Sequence, residues 1–267
     1  ANQILSPHEK THSMSKFQQA AHLNNEGVNA LRDGDHGYAA QLFPQAMQLM
    51  KAELLRLTTS QTDTAELKYD DEDIKLLQEQ THSVEIPTTS CTPGPESSDS
   101  TIVFNRAIVI PTDIDVSQLK AYEFCLHMYT TVAIYNLALS HHFMVSTGTG
   151  SSDAILHKVE KFYEIVLRLL MGGSTLLHMH TGLLIKLACI NNLSQLRYFK
   201  GDFDENKRRE ELLSHVSFFM QRSQTTNQAL FQELEEKADE NDHVQDLLKN
   251  AILLLHDARP RGMAAAA

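Results

Sequence analysis

Fourteen histidines, three cysteines and 34 acidic residues give this chain material for metal binding and acid–base chemistry. Their spacing does not assemble it. His8 and His12 lie four apart, but in a stretch with no helical periodicity. His178 and His180 are two apart, which on a helix points them in different directions, and the adjacent His141 and His142 cannot share one face. No HExxH and no zinc-type Cys/His spacing occurs. Neither GxSxG nor a phosphate-cradling GxxxxGK[ST] or GxGxxG is present, and no cysteine sits in a recognisable catalytic setting. Asp70, Asp71, Glu72 and Asp73 lack the alternation and central glycine of a calcium loop, so they read as a solvated acidic face. The sequence therefore predicts no catalytic residue, no metal and no cofactor.

A different side chain recurs with a pattern. NNEGVNALRDGD begins at Asn24 and NNLSQLRYFKGD at Asn191, and the two match at Asn-Asn, at a small residue (Gly27, Ser194) and at Gly-Asp. Asn136 likewise stands two places before a small residue, Ala138. A primary amide offers both a donor and an acceptor, which suits an extended backbone.

The elements that must position these residues are mostly helical. Residues 1–15 read as a flexible arm. From Lys16, Phe17, Ala20, Ala21, Leu23, Gly27, Ala30 and Leu31 recur at helical steps; Gly34 ends that helix and Asp35 caps the next. Pro44 predicts a kink or a late start in the second helix. Residues 58–115 break the pattern and read as a partly disordered insertion. Within it, LKYDDEDIKLLQEQ suits a short acidic helix, TTSCTPGPESSDS a mobile loop and STIVFNRAIVIP a strand. HSVEIP supplies a partner for that strand in one small hairpin. Long helical patterns return from Val116, separated by VSTGTGSSD and by Gly172-Gly173. The helices of residues 223–258 read as a cap and 259–267 as a tail.

Composition narrows the function classes. A hydrophobic share of 42% marks a globular chain. The net charge of −11 argues against nucleic acid, whose phosphates need a basic face. Lys207, Arg208 and Arg209 are followed at once by Glu210 and Glu211. No apolar run approaches the ~20 residues of a membrane span, and the N-terminal stretch lacks a secretory apolar core. Cys125 and Cys189 sit among apolar residues and read as buried thiols, which predicts an intracellular location, the cytoplasm ahead of an organelle or the nucleus.

Three helical hairpins in series resemble the tetratricopeptide repeat. In the first, residues 16–57, Gly27, Gly34, Ala39, Phe43 and Ala46 match the family's small, turn, small, aromatic and alanine positions. The second and third occupy residues 116–222. Asn136, Ala138, Val159, Tyr163 and Val166 match in the second, around an insertion fitted by VSTGTGSSD. It is similar to tetratricopeptide-like proteins of diatom-type algae. The third matches in its first helix and departs at Asn206 and Glu210.

The resemblance implies an all-α fold, antiparallel hairpins stacked into a short solenoid, with a long insertion holding one small β element. It implies a non-enzymatic interaction module whose concave groove takes a partner peptide or helix, with Asn25, Asn136 and Asn192 contacting the partner. A basic clamp for a terminal carboxylate is missing, since Asn24, Val28 and Ala188 stand at those places. The alternative is a structural or assembly subunit of a larger complex, packed through outer helix faces and the insertion.

Overall fold

The computed structural model describes residues 14–60, 81–87, 104–112, 122–148, 153–172 and 180–199. Residues 1–13 of the expected N-terminal arm, the acidic helix, the expected mobile loop, the second half of the third hairpin, the C-terminal cap and the tail lie outside these residues, whereas Ser15 of the arm belongs to the start of α1. The described chain is mostly helical, with one two-stranded sheet. The order is α1 (Lys16–Arg32), α2 (His36–Ser60), β1 (His82–Glu85), β2 (Arg106–Val109), α3 (Tyr122–Ser146), α4 (Asp153–Gly172) and α5 (His180–Phe199).

Local chemistry sets the ends of the first two helices. Ser15 caps α1 through a reciprocal box with Gln18: Gln18 N–H donates to Ser15 Oγ at 3.1 Å, and Ser15 N–H donates to Gln18 Oε1 at 3.0 Å. Gly34, with φ of 82°, turns the chain between α1 and α2. Asp35 Oδ1 then accepts from Tyr38 N–H at 2.9 Å, which fixes the start of α2. The expected late start is corrected here, because α2 begins at His36 and runs through Pro44. Proline lacks only one intrahelical donor, and the buried Ala39, Phe43, Ala46 and Met50 hold both sides of it against the core.

The helices pack in chain order, each on the next, so α2 meets α3 across the insertion. At Gly27 there is no room for a side chain between α1 and α2: a Cβ there would lie 2.7 Å from Cε1 of Phe43. The helix α3 is apolar nearly all round and correspondingly buried on nearly every side, with α2, α4, α1, α5 and β2 against it. On α4, Val159, Tyr163, Val166 and Leu170 form a buried stripe at steps of three and four. Both Cys125 and Cys189 are buried. Among the described residues no helix is long and apolar enough to cross a membrane.

The two strands pair antiparallel, with His82 opposite Val109 and Glu85 opposite Arg106. Just past both strands, Ile86 N–H donates to Asn105 O at 2.9 Å. Antiparallel ladders alternate, so residues 105, 107 and 109 turn their backbone groups toward β1. Those of Phe104, Arg106, Ile108 and Ile110 turn the other way, toward the helices. An edge facing a core must find partners there, and the helices supply them from side chains.

Candidate interaction site

The three predicted asparagines converge on this inner edge. Each one grips the N–H and the C=O of a single residue. Asn136 Oδ1 accepts from Ile108 N–H at 2.9 Å, and its Nδ2 donates to Ile108 O at 2.8 Å. Asn25 holds Ile110 likewise, at 2.9 and 2.6 Å. Asn192 holds Phe104, at 2.8 and 3.2 Å. Between Asn136 and Asn192 the missing rung is filled by Tyr135, whose hydroxyl donates to Arg106 O at 2.8 Å. Every second residue from 104 to 110 is thus anchored. The side-chain amides play the part of a neighbouring strand.

This arrangement fixes the amide orientations, since a backbone N–H must meet oxygen and a carbonyl must meet NH2. Further amide hydrogens tie the asparagines to one another. Asn136 Nδ2 also donates to Asn24 Oδ1 at 3.0 Å; Asn24 Nδ2 in turn donates to Ile108 O at 3.1 Å and to Asn25 Oδ1 at 3.2 Å. At the other end Asn191 Nδ2 donates to Asn192 Oδ1 at 3.1 Å. In both Asn-Asn pairs the first residue donates to the Oδ1 of the second, and Asn24 also bonds the strand itself at Ile108 O. Asn24, Asn136 and Asn192 are fully buried, whereas Asn25 is half-buried. A buried network of paired amides specifies one arrangement, because any slip strands a donor in a low dielectric.

The Asn192 end runs deeper into the core. Asn192 Nδ2 donates to the Tyr163 hydroxyl at 3.2 Å, and that hydroxyl lies 3.2 Å from His142 Nδ1. Which of these two groups donates follows from the imidazole tautomer, and Nε2 of His142 has no hydrogen-bond partner. Burial pushes the His142 pKa down to about 4 and holds the Tyr163 and Tyr135 hydroxyls well above the usual phenol range. The rungs therefore stay uncharged near neutrality. His141 stacks on Phe162 with ring centroids 5.8 Å apart, so it packs within the hairpin.

Side-chain burial along the strand is uneven. Phe104, Ala107, Ile108 and Ile110 are buried, while Asn105, Arg106 and Val109 are half-buried. Arg106 reaches back over β1, with Nε 3.2 Å from Ser83 Oγ and Nη1 3.6 Å from Glu85 Oε2.

Sequence reasoning singled out one asparagine per hairpin and missed Asn24, Asn191, Tyr135 and Tyr163. The doubled Asn-Asn was the available signal for the first two. The tyrosines carried none, since an aromatic residue on an apolar helix reads as core. Among the described residues no three of His, Cys, Asp or Glu gather as metal ligands would. No protein-family model matches this chain, and no curated protein or solved structure is found to be similar to it.

Proposed function

We propose that the chain is a non-enzymatic protein–protein interaction module, a tetratricopeptide-like stack of helical hairpins that holds an extended segment of a partner protein along its asparagine rungs. The observation that carries this reading is the bidentate grip of Asn25, Asn136 and Asn192 on alternate residues of an extended backbone. Such a grip reads backbone and not side chains, which is how strand-type peptide recognition gains affinity. The net charge of −11 favours a neutral or basic protein partner over nucleic acid. The buried Cys125 and Cys189 fit a reducing intracellular setting.

The decisive comparison is affinity capture by the wild-type chain and by Asn25→Ala. The half-buried rung is the one whose loss the fold tolerates best, because water can reach the vacated groups. A partner lost with Asn25→Ala, at an unchanged circular dichroism spectrum, supports the groove reading. A partner retained by both removes it.

One observation favours a second reading, that of an assembly subunit packed through outer helix faces. The rungs already hold the chain's own strand, and Leu169 and Met171 stand exposed near the end of α4, Met171 at 68%. On this reading Met171→Glu, rather than Asn25→Ala, abolishes capture.

A further inference from the structure

The segment on the rungs belongs to the chain itself, and this gives the groove a template. We propose that residues 104–110 are an intramolecular competitor for the partner, and that the partner segment carries their pattern: a large apolar residue first, a small one fourth, and β-branched apolar residues fifth and seventh. This inference rests on the groove reading of the preceding subsection and names the ligand and its control.

Three features of the strand support it. First, the contacts that the rungs make to it go to backbone atoms of Phe104, Arg106, Ile108 and Ile110. Any extended segment presents the same groups at the same two-residue repeat. Second, side-chain burial states what such a segment must carry. Phe104, Ile108 and Ile110 are at most 5% exposed, and Ala107 is 0% exposed, so the fourth position excludes anything larger. Positions two and six correspond to the half-buried Asn105, whose amide donates to Ile86 O at 2.9 Å, and Val109, which packs against the core edge, so they constrain the segment less than the buried positions. Position three corresponds to Arg106, whose contacts run to β1; a basic residue there adds only a weak, solvent-screened pairing with Glu85. Third, the outer edge of the segment is closed by β1, so a replacement must also continue that antiparallel ladder. An extended strand meets the last condition and a helix does not.

The competition is a matter of occupancy. A ligand that binds only when the rungs are vacated has its affinity reduced by the vacant fraction. Weakening the internal strand raises that fraction and tightens external binding. Weakening a rung harms both.

The test uses a fluorescent peptide of sequence TIVFNRAIVIPT, which is residues 101–112, titrated into the full-length chain. The chains compared are wild type, Ile108→Ala and Asn136→Ala, each checked for helical circular dichroism. Hydrogen exchange of the wild-type chain, with and without isotope-labelled peptide, reads displacement directly and needs no variant. The expected result is binding at least ~10-fold tighter to Ile108→Ala than to wild type, as the vacant fraction rises. Binding is lost in Asn136→Ala, and the wild-type amides of residues 104–110 lose protection as peptide is added. Equal binding to wild type and Ile108→Ala, lost in Asn136→Ala, overturns the internal competition while leaving the groove reading standing. Binding to none of the chains, or binding indifferent to Asn136→Ala, overturns both. A scrambled peptide that binds as well as the native one overturns the side-chain pattern alone.

Discussion

The two edges of the 104–110 segment are satisfied by different chemistry. The outer edge is paired by the backbone of β1, residue by residue. The inner edge is paired by side chains carried on three separate helices, α1, α3 and α5. A backbone ladder is indifferent to most substitutions, because every residue brings the same groups. An asparagine ladder concentrates the same duty in a few side chains, and no other residue of that size supplies both the donor and the acceptor. One strand therefore combines a tolerant edge with a fragile one. The fragile edge is also the one that ties the helices together, since Phe104 and Ile110 sit on rungs from α5 and α1.

The sharpest break is Asn136→Ala. It leaves Ile108 N–H without a partner in the core and removes one of the two donors to Ile108 O. Chemical denaturation should show a loss of about 3 kcal/mol, the order expected for unsatisfied buried groups. Gly27→Ala comes next. Its new methyl meets Phe43 and forces α1, with its Asn24 and Asn25, away from α2. A loss of about 2 kcal/mol is expected for such overpacking. Loss of protection at Ile110 before Phe104 in hydrogen exchange would trace the damage to the α1 end.

Acid should attack the inner edge and spare the outer one. Burial lowers the pKa of His141 and of His142 from 6.5 to about 4. The unfolded chain binds these protons first, so stability is complete above about pH 6.5 and falls as pH drops toward 4. Each histidine contributes a slope of up to about 1.4 kcal/mol per pH unit in that window. Denaturant midpoints at pH 7.5 and 5.0 measure it, and His142→Gln should flatten the dependence. An unchanged slope in that variant would detach His142 from the network through Tyr163 and Asn192.

Smaller effects complete the contrast. Tyr135→Phe removes its hydrogen bond to Arg106 O and should cost about 1 kcal/mol. On the outer edge Glu85→Thr should stay within about 0.5 kcal/mol, since only an exposed pairing with Arg106 is lost. A Glu85→Thr loss as large as that of Tyr135→Phe would erase the distinction between the edges.

Much of the frame was legible in the residues themselves. Gly34 and Asp35 mark helix ends by chemistry that acts within a few residues, whereas Ser15, read as part of the arm, turns out to cap α1. The steps of Phe17, Ala20 and Ala21, and of Val159, Tyr163 and Val166, declare buried faces, because helical period and burial are tied by geometry. The β-branched and apolar density of STIVFNRAIVIP declares a strand, although Asn105 and Arg106 interrupt it. The late start expected from Pro44 does not occur, because a tertiary core can hold a helix across one missing hydrogen bond.

The sequence also pointed to Asn25, Asn136 and Asn192 as a recurring set. What they grip is written nowhere locally. Ile108 and Asn136 are 28 positions apart, while Asn25 and Ile110, and Asn192 and Phe104, are more than 80 apart. Pairing a backbone edge with amides from three helices depends on where those helices come to rest. Packing between elements decides that, through contacts such as Gly27 on Phe43. A side chain's donor and acceptor are fixed by its type; which backbone they meet is fixed only when the whole core closes around them.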